Sequence, residues 1–416
     1  MNQANLYFDV LERIKPKEHE QEKIKRSVDE FLAVLSPKIK PLKAFVGGSY
    51  AKGTWLSDIK DIDIFIIFPK EYLRKSAVIS DILEKKISSH KPERLHGSRD
   101  YFKVYYKGIY FEIIPILKIA KANDAKNITD ISPLHVKWVN SKSNEKIKDD
   151  IRILKAFLKA NNLYGAESYL RGFSGYVCEI LICYYRSFMN FINDASKWKS
   201  TKLIDAEHYY LSEKEALSSL NESKIAPLVL IDPVQKERNV SASVSRDVFD
   251  KLKEKAKQFI KKPELSYFEK KQFSFDDVKK KYKKNIPILL QIKPLKGKDD
   301  IIGSKILKVF DYIIDKSNDY GFEIVDKGWD YGIKRNSNIW IVFKGDISRH
   351  FEAKGPDAKN KMHGERFRDK HKKVFLRKGR LYADEMREFT TPFSFVNSLL
   401  QKDYVKERVS SIKILD

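Results

Sequence analysis

Phe45-Val46-Gly47-Gly48-Ser49-Tyr50-Ala51-Lys52-Gly53-Thr54-Trp55-Leu56, followed shortly by Asp61-Ile62-Asp63-Ile64-Phe65-Ile66-Ile67-Phe68, is the stretch around which the chain is organised. It reads as a strand, a glycine turn carrying a serine, and a second strand bearing two acids. Side chains two apart in a strand share a face, so Asp61 and Asp63 point one way while Ile62, Ile64, Ile66 and Phe68 pack on the other. The two carboxylates then sit roughly 7 Å apart at their α-carbons, close enough to share divalent cations. Like charges so placed repel unless something positive lies between them. Hard oxygen ligands suit magnesium, which keeps waters and adds phosphate oxygens to its octahedron. Gly47-Gly48-Ser49 supplies the complementary half, because glycines let backbone N–H groups approach an anion and a serine hydroxyl can donate to phosphate.

A bare D-x-D on a strand could be no more than a hairpin with an acidic edge. The G-G-S turn upstream argues against that, and the combination resembles the nucleotidyltransferase superfamily that includes DNA polymerase β, poly(A) polymerases and CCA-adding enzymes.

The 416 residues suffice for two to four domains at about 100–200 residues each. A net charge of +24, from 81 Lys and Arg against 57 Asp and Glu, favours a polyanionic partner, nucleic acid first and an anionic membrane second. The membrane reading is weakened because no apolar stretch reaches the ~18–20 residues of a span; Val177 to Ile192 comes nearest and is interrupted by Glu179, Arg186 and Asn190. No charged-then-apolar leader follows Met1, so a cytoplasmic location is expected. Cys178 and Cys183 fall on different faces of a helical run, which predicts buried thiols and no disulfide. The histidines form no H-x-x-x-H or Cys/His cluster that would indicate zinc.

In chain order, Ile24, Val28, Phe31, Leu32 and Leu35 predict an amphipathic helix over 17–36 that ends before Pro37 and packs beneath the site. A crossing helix is expected over 76–88. Asp100–Tyr106 and Ile109–Pro115 around Lys107-Gly108 read as a hairpin. Glu112 lies in its second strand among Tyr, Phe and Ile, where an acid is costly to bury unless paired or on a metal. It is either an edge glutamate facing water or a third carboxylate beside Asp61 and Asp63. Three acids would complete a two-metal site, one ion acidifying an attacking hydroxyl and the other holding the triphosphate and leaving pyrophosphate. Helices are expected over 149–160, 177–192 and 245–261, with a strand over 228–231. The Lys/Glu-rich stretch 261–285 reads as a boundary or exposed arm. Beyond it a strand over 286–292, a helix over 304–316, and strands over 321–325 and 338–344 make an α+β module. Residues 351–388 interleave Phe351, Phe367, Phe375 and Tyr382 with lysine and arginine. That run is either a solvated charged face or an RNA phosphate surface.

Together these segments resemble the archaeal-type, class I CCA-adding tRNA nucleotidyltransferases over nearly the whole chain. The residues that carry the resemblance are Gly47 to Thr54, Asp61 to Phe65, Glu112-Ile113-Ile114-Pro115, Ser132-Pro133-Leu134-His135, Leu154 to Lys159 and Tyr164 to Tyr176. Asp232-Pro233, Arg238-Asn239, Lys354-Gly355-Pro356, Glu365-Arg366-Phe367 and Gly379 to Tyr382 belong to it too. The resemblance implies an α+β multidomain protein: a polymerase-β-like nucleotidyltransferase head over 1–145, a helical and mixed central neck over 146–260, and an α+β tRNA-binding body and tail over 261–416. It implies template-independent addition or repair of the 3′-terminal C-C-A of tRNA from CTP and ATP, with release of pyrophosphate. Asp61, Asp63 and Glu112 would be catalytic and hold Mg²⁺. Gly48, Ser49 and Lys52 would bind the triphosphate, His135, Lys155 and Tyr164 would complete the nucleotide site, and Arg238 would lie near the base or RNA end. The basic C-terminal region would grip the acceptor stem and elbow by shape and phosphate. A homodimer is compatible with the sequence. The pattern departs from the family at Glu112, where Asp is expected, and at Ser132, where Thr is more usual. A poly(A) or oligoadenylate-type polymerase is the alternative within the superfamily, and a non-catalytic tRNA-binding protein the alternative outside it. Retention of mutually repelling carboxylates argues against the last.

Overall fold

Ile62, Ile64, Ile66 and Phe68 are fully buried along one face of the strand Asp61–Phe68, as its period of two requires. The computed structural model describes residues 3–59, 61–270, 274–330 and 336–415. The chain divides into two units, Met1–Lys271 and Gln272–Asp416. The first opens with helices α1 (Gln3–Ile14) and α2 (Glu18–Ile39), then β1 (Lys43–Val46), the short helix α3 (Gly48–Lys52), β2 (Asp61–Phe68), α4 (Ile79–Ile87), β3 (Glu93–Leu95), β4 (Tyr101–Tyr106) and β5 (Ile109–Leu117). The five strands form one sheet in the order β1-β2-β5-β4-β3. Its β2–β5 pair is parallel and the others are antiparallel. Helices α2 and α4 cover one face, where Phe31, Leu35 and Leu83 pack on Ile62, Ile64, Phe102 and Phe111. Phe31 stacks on Phe111 with ring centroids 4.1 Å apart. The expected stop of α2 before Pro37 is not seen, since the helix runs on to Ile39. Proline removes one hydrogen bond from the last turn, and burial of Leu35 and Ile39 holds that turn in place.

The first unit continues with α5 (Ser132–Lys142), α6 (Glu145–Ala160), α7 (Gly175–Tyr185), α8 (Phe188–Ala195), β6 (Lys202–Ile204), α9 (Glu213–Ser219), β7 (Leu228–Asp232), β8 (Gln235–Asn239) and α10 (Arg246–Lys261). Phe157, Phe188, Phe259 and Phe268 form the aromatic centre of its core, into which α1 inserts Leu6 and Val10. Two helices replace the single one expected over 177–192. Arg186 turns left-handed at φ 64° to end α7, and the Ser187 hydroxyl accepts from Asn190 N–H to start α8. Cys178 and Cys183 are buried free thiols.

The second unit contains α11 (Phe275–Lys281), β9 (Ile286–Lys293), α12 (Asp299–Tyr320), β10 (Ile324–Asp330), β11 (Ser337–Phe343), β12 (His350–Asp357), α13 (Lys361–Lys370), β13 (Val374–Arg377), β14 (Arg380–Met386), α14 (Pro392–Leu400), α15 (Asp403–Lys406) and β15 (Ser411–Leu415). Its sheets run β10-β11-β9-β15 and β12-β14-β13. The strand expected over 321–325 begins later because Gly321, at φ 101°, is the left-handed cap of a longer α12. Within the basic run, Arg377 forms a fork with the Glu352 carboxylate and lies 4.3 Å from the Tyr382 ring, while Arg387 lies 4.4 Å from the Phe351 ring. Part of that positive charge therefore supports the module itself. The stretch 261–285 carries the division between the units; residues 271–273 within it lie outside the described residues. Among the described residues no helix is long and apolar enough to cross a membrane.

A buried ion network fastens the segment after α3 to α6 and α7. Glu179 Oε2 accepts from Lys52 Nζ at 2.6 Å, and its Oε1 accepts from Thr54 Oγ1 at 2.6 Å and Lys155 Nζ at 2.9 Å. Lys155 also donates to the Thr54 carbonyl and hydroxyl, at 3.1 and 2.9 Å, so an acceptor stands by for each of its three donors. Burial alone would raise the Glu179 carboxyl, but Lys155 and Lys52 overcome it and hold it at about 2. Replacing Glu179 by Ala strands two buried ammonium groups and is expected to cost about 3–5 kcal/mol in chemical denaturation. Because the folded-state pKa is depressed from 4.5, this stabilisation is complete above the unfolded value and lost as pH falls toward about 2. The stability gap between wild type and Glu179→Gln should therefore be larger at about pH 6 than at about pH 3.

Candidate active site

The parallel register of β2 and β5 sets Asp63 beside Glu112, and the antiparallel register of β4 and β5 sets Lys103 on the other side of Glu112. Asp63, Glu112 and Lys103 thus lie abreast on the sheet face opposite α2 and α4, with Asp61 two residues along. Glu112 faces the other acids rather than water at an edge. The Gly47 N–H donates to the Asp63 carbonyl at 2.9 Å, bringing the turn against the acid strand. Gly48 has φ +61°, and a Cβ on it would lie 1.7 Å from Asp63 Oδ2. Only glycine satisfies both the backbone angle and that approach. The turn continues directly into α3, which carries Ser49 and Lys52.

The acids raise one another. Burial and then Asp61 push the Asp63 carboxyl up to about 6, against the opposing pull of Lys52. Burial, Asp63 and Asp61 push Glu112 up to about 7, with Lys103 acting the other way. Burial and then the three acids lift the Tyr101 hydroxyl to about 12. Asp61 Oδ1 is buried and makes no hydrogen bond; its charge is met as an ion pair by Lys103 Nζ, 2.7 Å away. Among the described residues no three His, Cys, Asp or Glu side chains are arranged to hold a metal as they stand. At the acids, Lys103 in contact and Lys52 at longer range only partly offset three carboxylates.

A second wall comes from α5, α7, β7 and β8. The His135 ring stacks on Tyr176 with centroids 4.0 Å apart. Tyr176 Oη donates to Asp232 Oδ1 at 3.2 Å and Arg238 Nη1 donates to Asp232 Oδ2 at 2.7 Å. His135 Nε2 lies 3.3 Å from the same Oδ2 without hydrogen-bond geometry. Burial lowers the His135 pKa and favours the neutral imidazole. For Asp232, burial acts upward, but the Val234 N–H and Arg238, which both donate to it, hold it below the usual carboxylate range. Lys52 bridges the two walls, its Nζ being 5.2 Å from the centre of the Tyr176 ring. Tyr164 stands at the start of α7 near Lys155, since a Cβ on Gly175 would lie 3.0 Å from Tyr164 Oη and 3.9 Å from Lys155 Nζ. Burial raises the Tyr164 hydroxyl and keeps it protonated.

The fold thus groups Asp61, Asp63, Glu112 and Gly48, connects them through Lys52 and Glu179 to Lys155 and Tyr164, and joins His135 to Arg238 through Asp232. Lys155 has an acceptor at each donor and must release one to meet a ligand. Glu179, Tyr176, Asp232 and Lys103 escape the sequence reading as site residues. A lone acid within Val177-Cys178-Glu179-Ile180-Leu181 was itself a signal, because such a group stays charged only with partners. Lys103 could be counted off the hairpin: the two-residue turn Lys107-Gly108 pairs Tyr106 with Ile109 and hence Lys103 with Glu112.

Three family models match successive parts of the chain. They are a nucleotidyltransferase domain over residues 25–154, the second domain of tRNA nucleotidyltransferase over 149–269, and the C-terminal domain of CCA-adding enzyme over 286–411. A cytoplasmic RNA terminal U-transferase has a similar fold (TM-score 0.51, 15% identity, 65% of this chain and 99% of that one), as does the Cid1 poly(U) polymerase in a mutant form bound to MgATP (TM-score 0.53, 14% identity, 65% and 100%). The CCA-adding enzyme of Thermococcus gammatolerans is 29% identical over 97% of this chain and 91% of its own length. That of Saccharolobus islandicus is 31% identical over 91% and 88%. With the CCA-adding enzyme of Nanoarchaeum equitans the identity is 37% over 91% of this chain and 93% of the relative, and the chain belongs to the CCA-adding enzymes, a family of tRNA nucleotidyltransferases.

Proposed function

We propose that the protein adds or repairs the 3′-terminal C-C-A of tRNA, taking CTP and ATP and releasing pyrophosphate. The observation that supports this most is the alignment of Asp63 with Glu112 across β2 and β5, next to the Gly48 turn. These residues fit Mg²⁺: the donors are hard carboxylate oxygens, Asp61 Oδ1 meets only the Lys103 ammonium, and burial with mutual repulsion leaves Asp63 and Glu112 short of positive charge. Asp61, Asp63 and Glu112 would hold the ion. When bound, Mg²⁺ supplies charge neutralisation to the attacking hydroxyl and the pyrophosphate leaving group.

The remaining roles belong to this chain's own groups. Gly48 and Ser49 present the turn to the triphosphate, and Lys52 offers it an ammonium. Lys155 and Tyr164 flank it from the central segment, and neutral His135 borders it through its stack on Tyr176. Arg238, oriented by Asp232, presents a planar donor set to the base or the RNA end. The head (1–145) and neck (146–260) carry the chemistry, and the body and tail (261–416) hold the acceptor stem and elbow of the tRNA. The enzyme works in the cytoplasm, and the proposal allows a homodimer.

With Mg²⁺, CTP and ATP, a tRNA ending at the discriminator base should gain three nucleotides and then stop. Failure to extend it overturns the assignment, and unlimited adenosine addition to arbitrary RNA with ATP alone favours a poly(A)-type polymerase. Replacing Asp63 by Ala should lower addition by about a hundredfold to a thousandfold while tRNA binding persists, and chelating the divalent ion should stop addition by wild type. Affinity for tRNA should fall steeply with salt in filter-binding titrations, because phosphate contacts release counterions.

A further inference from the structure

We propose that Lys103 is a resident counter-ion of the acidic site, an ammonium that holds the metal-free carboxylates together and must leave Asp61 for a divalent cation to bind. This rests on the reading of Asp61, Asp63 and Glu112 as metal ligands. The position of Lys103 follows from strand register, since it is paired with Glu112 on β4 as Glu112 is paired with Asp63 on β5. Its Nζ lies 2.7 Å from Asp61 Oδ1 and 4.0 Å from Glu112 Oε1. The ammonium therefore sits in contact with an Asp61 oxygen that would serve as a ligand to a divalent ion. Two cations at contact with one carboxylate oxygen repel each other strongly in a partly buried setting, so ion and ammonium exclude one another.

Lys103 also has somewhere to go. Its side chain is 24% exposed, its four-carbon stem is flexible, and its Nζ already lies 4.7 Å from the centre of the Tyr110 ring, whose face attracts cations. One ammonium leaves most of the negative charge of the three acids in place, so the site still attracts a divalent ion, but with lower affinity than the bare carboxylates would have. The phosphates of an incoming nucleotide offer the displaced ammonium a new partner, which makes nucleotide and divalent ion help each other in.

Titration of the full-length protein with Mn²⁺ alone, reading free Mn²⁺ by electron paramagnetic resonance without nucleotide or tRNA, tests this directly. Lys103→Met should bind Mn²⁺ about tenfold more tightly than wild type, while Lys103→Arg, which keeps the charge, should stay within about twofold. Lys103→Gln gives the same charge loss with a polar side chain should methionine disturb the strand. Unchanged or weaker binding by the neutral variants overturns the inference, as does equal tightening by Lys103→Arg, which would make side-chain size the cause. Asp63→Asn separates the two levels of the argument: if it binds Mn²⁺ as wild type does, the reading of the acids as metal ligands fails, whatever Lys103 does.

Discussion

Parallel pairing of β2 with β5 is the constraint from which the rest of the first unit follows. It sets a third carboxylate beside two that already share a strand face, and it does so on a sheet whose other face is sealed by α2 and α4. The acids cannot turn away into the core without displacing Phe31, Phe102 or Phe111, so their repulsion has to be met from outside the sheet. Lys103 meets part of it from the next strand and Lys52 another part from the turn. The close fit of Gly48 against Asp63 fixes where that turn can lie.

Glu179 decides what the lysines can do. Its two oxygens take Lys52 on one side and Lys155 with Thr54 on the other. Lys155 is surrounded by acceptors and joins α6 and α7 to the segment after α3. Lys52 donates to Glu179, lies 5.2 Å from the centre of the Tyr176 ring and acts on Asp63 by charge. Asp232 plays the corresponding part on the second wall, where it aligns Tyr176 and Arg238 and accompanies His135. Two buried carboxylates thus orient Lys52, Thr54, Lys155, Tyr176 and Arg238.

What was legible in the sequence was what has a short period or a fixed local chemistry. The alternation in Asp61–Phe68, the Gly-Gly-Ser turn and the Lys107-Gly108 hairpin each declare their geometry within a few residues and put Asp61 and Asp63 on one face, but Glu112 stayed open between an edge position and a third carboxylate because the parallel β2–β5 register that decides it is not local. Helix ends were less legible because capping overrides hydrophobic period: Arg186 and Ser187 split an apolar run that looks continuous, and Gly321 moves a strand start. Glu179 and Asp232 were missed for a different reason. Their partners reach up to 127 residues away in the chain, so that although a lone acid in an apolar helix signals a need for partners, no local pattern names Lys52 and Lys155 for Glu179 or Tyr176 for Asp232.

Charge is distributed unevenly between the two walls, and the unevenness matches a nucleotide carrying a divalent ion. The sheet wall is short of positive charge, with raised carboxyls at Asp63 and Glu112. The helical wall is the reverse, since Glu179 is fully ionised between two lysines and Asp232 is ionised beside a guanidinium. On the proposed function, a bare triphosphate would find Lys52 but would be repelled by the sheet acids, and a bare divalent ion would find those acids but also Lys103. Entering together, each neutralises the charge that opposes the other. On the proposed function, preference for the pair over either component would need no moving lid. It would follow from three acids, two ammonium groups and a glycine turn gathered around one parallel strand pair.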